Sequence, residues 1–313
     1  MISRRSWVAG GATLSAAVPS LVRAQTALPI RVGATPNDTY AEAYYAQDQG
    51  LFAKAGLSAE ITTLNNGAAV SAAVASGALD VGVSGPVQTA QAYTRGIPFT
   101  IVAAGALSTA KSPASLLCVA KNSPLQTAAD LVGKAVAVNA LRTTGDLSLH
   151  VWLAKSGVDA DKVHVVEVTM SEMGAAVESS RIAAAVISEP ALSIALRANN
   201  LRVLADISAA YAPEYLVSGW FMSKGFVQNN AETARRFVSA IYATARWANG
   251  HQSDSALILA KVTKMEVAQI RAGLRAPYAE AFRAADVQPQ LDLAVKYGYL
   301  TRAVSTDEIY TKV

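Results

Sequence analysis

Short β-branched runs alternate with amphipathic stretches from residue 30 onward, and this alternation leaves few architectures open. Residues 30–33, 58–64, 80–84 and 99–103 read as strands. Between them, 40–55 and 68–76 read as helices, stopped by Gly56 and Gly77 where a left-handed cap is expected. That order gives an α/β fold: a mostly parallel sheet covered by helices on both faces. The pattern then restarts. Strands are expected at 116–120, 135–138, 162–168, 184–188, 201–204 and 216–223, with a helix at 146–155 stopped by Gly157. From Ala231 the chain reads as helical, at 231–249, 253–260, 264–272, 278–285 and 287–298.

An internal echo supports two similar lobes. Ala72-Ala-Val-Ala-Ser-Gly77-Ala-Leu-Asp80-Val-Gly-Val matches Ala175-Ala-Val-Glu-Ser-Ser180-Arg-Ile-Ala183-Ala-Ala-Val186 at a constant offset. Each copy reads as a helix end, a tight turn and a buried strand.

The first 24 residues read differently. Arg4 and Arg5 precede an uncharged run from Trp7 to Val22, and Val22 and Ala24 flank a small-residue cut before Gln25. These are the parts of a secretory signal peptide. The Ser3-Arg4-Arg5-Ser6-Trp7-Val8 stretch resembles the bacterial twin-arginine export motif, or is a basic start read by the general pathway. The expected product is periplasmic and carries no lipid anchor, because Gln25 rather than Cys follows the cut.

The export segment also changes the charge argument. Arg4, Arg5 and Arg23 belong to it and it holds no acid, so of 27 Lys plus Arg only 24 remain against 23 Asp plus Glu. That balance gives no warrant for nucleic-acid binding. Cys118 is the single cysteine, which excludes an internal disulfide, and its apolar strand makes it a buried, inert thiol. Roughly 290 residues suffice for two lobes of ordinary domain size.

In open α/β sheets, ligands bind beyond the carboxyl ends of the strands. The loops there carry Asn37, Asp38 and Tyr40, then Asn65 and Asn66, then Ser84 and Gly85. In the second half they carry Arg142, Thr143 and Thr144, then Glu189. Backbone amides at helix starts bind anionic or carbonyl oxygens. Arg142 offers a fork for a carboxylate, sulfonate or phosphate. Asp38 and Glu189 are acceptors for an amine, hydroxyl or ring nitrogen. The same residue types also serve as ordinary helix caps.

Enzyme signatures are missing from the sequence. Ser84 is not in a Gly-x-Ser-x-Gly elbow, Gly133-Lys134 lacks the rest of a P-loop, and no Gly-x-Gly-x-x-Gly follows a strand. His150, His164 and His251 have no metal-binding spacing. No cofactor is expected.

Several segments together resemble a known family. They are Gly50-Leu-Phe52 with Ala55-Gly56-Leu57, Ser76-Gly77-Ala-Leu-Asp80-Val, Ala129-Asp130-Leu131-Val-Gly133-Lys134, Leu153-Ala-Lys-Ser-Gly157-Val and Glu189-Pro190. In this order they are similar to the extracytoplasmic solute-binding components of ABC importers for sulfonates, nitrate, taurine and thiamine precursors, the SsuA/THI5-like family. The resemblance implies a two-lobed, type II periplasmic-binding-protein fold that closes on a small organic solute and docks on a membrane permease as a monomer, without chemistry on the solute. It implies a first lobe of 28–112 plus about 250–313, a second lobe of 113–249, and crossings near 108–115 and 212–220. It assigns ligand contacts to Asn37, Asp38, Tyr40, Asn65, Asn66, Ser84, Gly85, Arg142, Thr143, Thr144 and Glu189, with Tyr215 and Trp220 as aromatic walls or core. Two other readings share the fold: a sensing partner of a membrane receptor, and an extracytoplasmic enzyme using Asp38 and Glu189. The family's second-lobe Gly-x-x-Asp-Ala turn is here Ser180-Arg-Ile-Ala183-Ala184. The cysteine-rich iron motif of its pyrimidine-forming enzymes is absent.

Overall fold

The computed structural model describes residues 27–313. The export segment and its cut before Gln25 lie outside the described residues. Twelve strands are described: β1 Leu28–Ala34, β2 Leu57–Thr63, β3 Val81–Ser84, β4 Phe99–Ala104, β5 Leu107–Thr109, β6 Leu116–Ala120, β7 Ala135–Val138, β8 His164–Glu167, β9 Ala184–Ile187, β10 Leu201–Ala205, β11 Glu214–Leu216 and β12 Gly219–Ser223. They form two five-stranded sheets, ordered β2-β1-β3-β12-β4 and β10-β6-β9-β7-β8, and a two-stranded ribbon of β5 and β11.

Each sheet has three parallel strands running in from one edge, followed by an antiparallel neighbour. β1 pairs in parallel with β2 and β3, and β7 with β8 and β9. The inner strands β6, β9 and β7 of the second sheet are buried on both faces, which is why they read as continuous apolar runs. Leu117, Val119, Val136, Val138 and Val186 point into one apolar layer, while Cys118, Ala137, Ala185 and Ile187 point into the other. Burial pushes the Cys118 thiol up to about 12. His164 is exposed on the edge strand β8.

The internal echo is structural. Gly77 (φ 76°) and Ser180 (φ 58°) both end their helices in the left-handed region. Leu79 N–H donates to Ala73 C=O at 3.1 Å, and Ile182 N–H to Ala176 C=O at 3.2 Å, the equivalent pair in the second copy. Ser180 therefore keeps the turn that glycine makes in the first copy, at some cost in backbone strain.

The structure corrects three expectations. The helix expected at 40–55 is broken into Asp38–Tyr40, Glu42–Asp48 and Leu51–Lys54, because Gly50 turns left-handed (φ 65°) after the second piece. The helix expected at 278–285 is absent: the backbone of 277–279 bonds across to Gly105 and Leu107, and Asn249 caps Tyr278 on both its N–H and C=O. The strand expected at 216–223 is two strands, one in the ribbon and one in the first sheet.

That last split also corrects the second-lobe boundary at 249. β12 runs antiparallel between β3 and β4, with Trp220 opposite Val83 and Ala103. The Ala231–Gly250 helix packs Phe237, Ala240, Ile241 and Ala245 onto the same lobe's core. Residues 219–250 thus pack with the first sheet, where Trp220, Met222 and the Ala231–Gly250 helix share one apolar cluster. The β5–β11 ribbon joins the sheets where the chain crosses between them, with Tyr215 opposite Ser108.

Candidate ligand-binding cleft

A cavity of about 120 Å³ lies between the lobes at the carboxyl ends of β1, β2, β3, β7 and β9. The first lobe contributes Thr35, Asn37, Thr39, Tyr40, Asn65, Asn66, Gly67 and Gln88. The second contributes Asn139, Thr143, Thr144, Gly145, Met170 and Ser188, and Tyr215 comes from the ribbon. Among the described residues, none of the lining side chains is charged. Hydroxyls and amides alternate with small apolar walls such as Val138 and Val186.

Helix starts supply the strongest polarity. Gly67 opens the Gly67–Ala75 helix, and Thr144 and Gly145 open the Thr144–Lys155 helix. The first amides of a helix have no partner within it and carry the positive end of its dipole. Asn66 Oδ1 already accepts from Ala69 N–H at 2.9 Å, so it acts as a cap as well as a wall. Thr143 Oγ1 donates to Ala140 C=O at 2.8 Å. Thr35 borders the cavity and is buried, yet its Oγ1 has no partner among the described residues; buried Ser84 Oγ is in the same state. Burial pushes the Tyr40 hydroxyl up to about 12.

The cavity widens into an outer groove of about 830 Å³, which shares Thr35, Asn37, Asn65, Asn66, Asn139 and Met170 with it. Across this groove Glu189, Pro190 and Ile194 of the second lobe face Val262, Thr263 and Met265 of the first.

Of the residues nominated from sequence, Asn37, Tyr40, Asn65, Asn66, Thr143, Thr144 and Tyr215 border the cavity. Six do not. Asp38 is buried in an ion pair with Arg275 at 2.7 Å and also accepts from Ala276 N–H at 2.6 Å, so its carboxylate is spent on a loop of its own lobe. Arg142 turns away: its guanidinium donates to Gly298 and Tyr299 carbonyls at 2.8 and 3.0 Å and lies over the Tyr299 ring. Trp220 is core, donating from Nε1 to Glu42 Oε2 at 2.7 Å and packing edge-on to Phe237. Ser84 is fully buried behind Gly67, where a Cβ would lie 2.8 Å from its Oγ. Gly85 sits beneath the contact between Gln88 and Thr144 of the opposite lobe, 3.4 Å apart. Glu189 faces the outer groove, with its oxygens occupied by Ser193 and Leu274.

Asp38 and Glu189 thus both engage the 274–276 loop, and neither carboxylate borders the cavity. Gln88, Thr35, Asn139 and Ser188 are cavity residues not singled out before. All four lie in or beside the strand-end loops, so the topological rule pointed to them; side-chain type alone did not separate them from caps.

Residues 37–255 match the family model described as NMT1/THI5 like. The chain belongs to this family. A Brucella abortus (strain 2308) protein, whose name calls it only a binding protein, is 27% identical over 277 residues, covering 86% of this chain and 82% of that one. The alkanesulfonate-binding protein SsuA from Xanthomonas axonopodis pv. citri, solved with MOPS bound, has the same fold at a TM-score of 0.77 and 19% identity, over 91% of this chain and 98% of that one. The desulfurization enzyme DSZB shares it at a TM-score of 0.68 and 15% identity, over 91% and 96%. The family thus holds binding proteins and its fold also holds an enzyme. Among the described residues, no helix is long and apolar enough to cross a membrane, and no group of His, Cys, Asp and Glu is arranged to hold a metal ion.

Proposed function

We propose that this chain is the periplasmic solute-binding component of an ABC importer, capturing a compact organic solute with one anionic or strongly polar end. Sulfonates, carboxylates and thiamine-precursor pyrimidines are the candidate classes. The observation that carries this reading is the uncharged cavity between the lobes, in which helix-start amides at Gly67 and at Thr144 and Gly145 converge from opposite sides. Such amides bind an oxyanion without a buried counter-charge. The polar end sits among these amides, Asn65 and Gln88, with Tyr40 and Tyr215 as walls. The β5–β11 ribbon is the hinge.

The cavity's lining suits capture of a solute by hydrogen bonds: among the described residues it consists of hydroxyls, amides and small apolar groups. The Arg4-Arg5 segment supports export, and the SsuA relatives support a permease partner.

A thermal-shift screen of sulfonates, carboxylates and pyrimidines tests the reading. A true ligand at 100 times its dissociation constant adds about 2.7 kcal/mol of stability. No shift with any member of the panel, on folded protein, overturns it.

A further inference from the structure

Glu189 spans the lobes. Ser193 Oγ and N–H donate to its two oxygens at 2.6 and 3.1 Å, which fixes the carboxylate at the start of the Ala191–Arg197 helix in the second lobe. The third donor is Leu274 N–H at 3.3 Å, and it comes from the first lobe. The next two residues of that loop are held from behind: Arg275 Nε and Ala276 N–H donate to Asp38 at 2.7 and 2.6 Å. The 274–276 loop is thus strung between two carboxylates, one in each lobe. Gly273 permits the approach, since a Cβ there would lie 3.0 Å from Ser193 Oγ and 3.2 Å from Glu189 Oε2.

A second contact runs parallel to the first. Arg197 Nη1, at the end of the same helix, donates to Gln269 C=O of the first lobe at 3.0 Å. Both contacts bridge the mouth of the outer groove, where Pro190 and Ile194 face Val262 and Met265. Neither involves the inner cavity, and each is made entirely by protein groups.

We propose that Glu189 and Arg197 are positioning residues that latch the lobes together across the groove and shift the open–closed equilibrium toward the closed arrangement. Apparent affinity for any solute scales with the fraction of chains in the binding-competent state. The latch therefore sets affinity without touching the solute, and Asp38 supports it by pinning the loop that carries Leu274 N–H.

The test needs no solute, so a chain that binds nothing in the panel still reports. Lys54 in the first lobe and Lys162 in the second are exposed. Both are replaced by cysteine and spin-labelled; buried Cys118 stays unlabelled. Pulsed electron spin resonance then reads the distance distribution between the lobes. The parent chain is expected to show a short-distance population. Glu189→Ala lowers the ratio of short to long distances by about tenfold, the effect of one hydrogen bond to a charged group. Glu189→Gln, which keeps one acceptor oxygen, restores part of it. Arg197→Ala lowers the ratio by about threefold, as a weaker exposed contact. A parent chain found only at long distance, or variants that leave the distribution unchanged, overturns the latch. Should circular dichroism show that Glu189→Ala does not fold, exposed Arg197, which touches only Gln269 C=O across the groove, decides alone.

Discussion

Trp220 Nε1 donates to Glu42 Oε2 at 2.7 Å across 178 positions of sequence, and both side chains are buried in the first lobe. The other carboxyl oxygen of Glu42 has no partner among the described residues. Burial pushes the Glu42 carboxyl up to about 8, with the Trp220 hydrogen bond pulling the other way. Burial thus favours the neutral form of Glu42 below about pH 8. Gly105 brings it near the cavity wall: a Cβ there would lie 3.1 Å from Glu42 Oε2 and 2.5 Å from Ser218 Oγ, which donates to the C=O of cavity-lining Thr39 at 2.7 Å.

A pH dependence follows from that burial. A carboxyl whose folded pKa lies above its unfolded value binds its proton more tightly in the native state. Its contribution to stability is complete below the unfolded value near 4.5 and is lost as pH rises through about 8. Urea unfolding between pH 5 and 9 should show a decline of at most about 5 kcal/mol from this group. Glu42→Gln should flatten the curve. An unchanged slope in the variant would place the titration elsewhere.

The Asp38–Arg275 pair gives a second prediction. Both side chains are largely buried, so removing one leaves the other charge uncompensated. Asp38→Ala should lower stability by about 3–5 kcal/mol in urea unfolding. Replacing both partners, as Asp38→Ala with Arg275→Met, should recover most of that loss. A double variant as unstable as the single one would contradict the assignment.

Arg142 supplies a third. Its guanidinium is engaged by the carbonyls of Gly298 and Tyr299, and its backbone C=O accepts from Gln91 Nε2 at 3.0 Å. Titration calorimetry with Arg142→Ala should therefore show equal weakening, about 1 kcal/mol or less, for an anionic solute and its uncharged isostere. A loss of about 1.5–3 kcal/mol for the anion alone would mean that the side chain swings into the cavity and contacts the charge.

Thr35 separates binding from folding. Its buried Oγ1 lacks a partner among the described residues, so Thr35→Val removes a polar atom without a bond there while nearly keeping its volume. The solute-free variant should be as stable as the parent or more stable by about 1 kcal/mol. Affinity for the solute should fall by about 0.5–1.5 kcal/mol. Opposite signs in the two measurements identify a hydroxyl kept for a ligand. A stability loss with unchanged affinity would make it a structural group.

The sequence by itself determined the layers and the location of the site. Apolar runs such as 116–120 and 184–187 are buried on both faces, so they read as interior strands whichever way they pair. The echo of 72–83 in 175–186 revealed two matching helix–turn–strand units, and Ser180 keeps the left-handed turn despite losing glycine. Local chemistry also marked the strand-end loops, and seven of the thirteen nominated residues border the cavity. Only the tertiary structure decided which loop residues face the ligand. Asp38 meets Arg275 across 237 positions, Arg142 meets Tyr299 across 157, and Glu189 meets Leu274 across 85. Likewise Trp220 is core because β12 returns to the first sheet between β3 and β4. A side chain's polarity is a property of its own position. Whether it is free for a solute depends on the partner that folding brings beside it, and in these cases that partner lies far away in the chain.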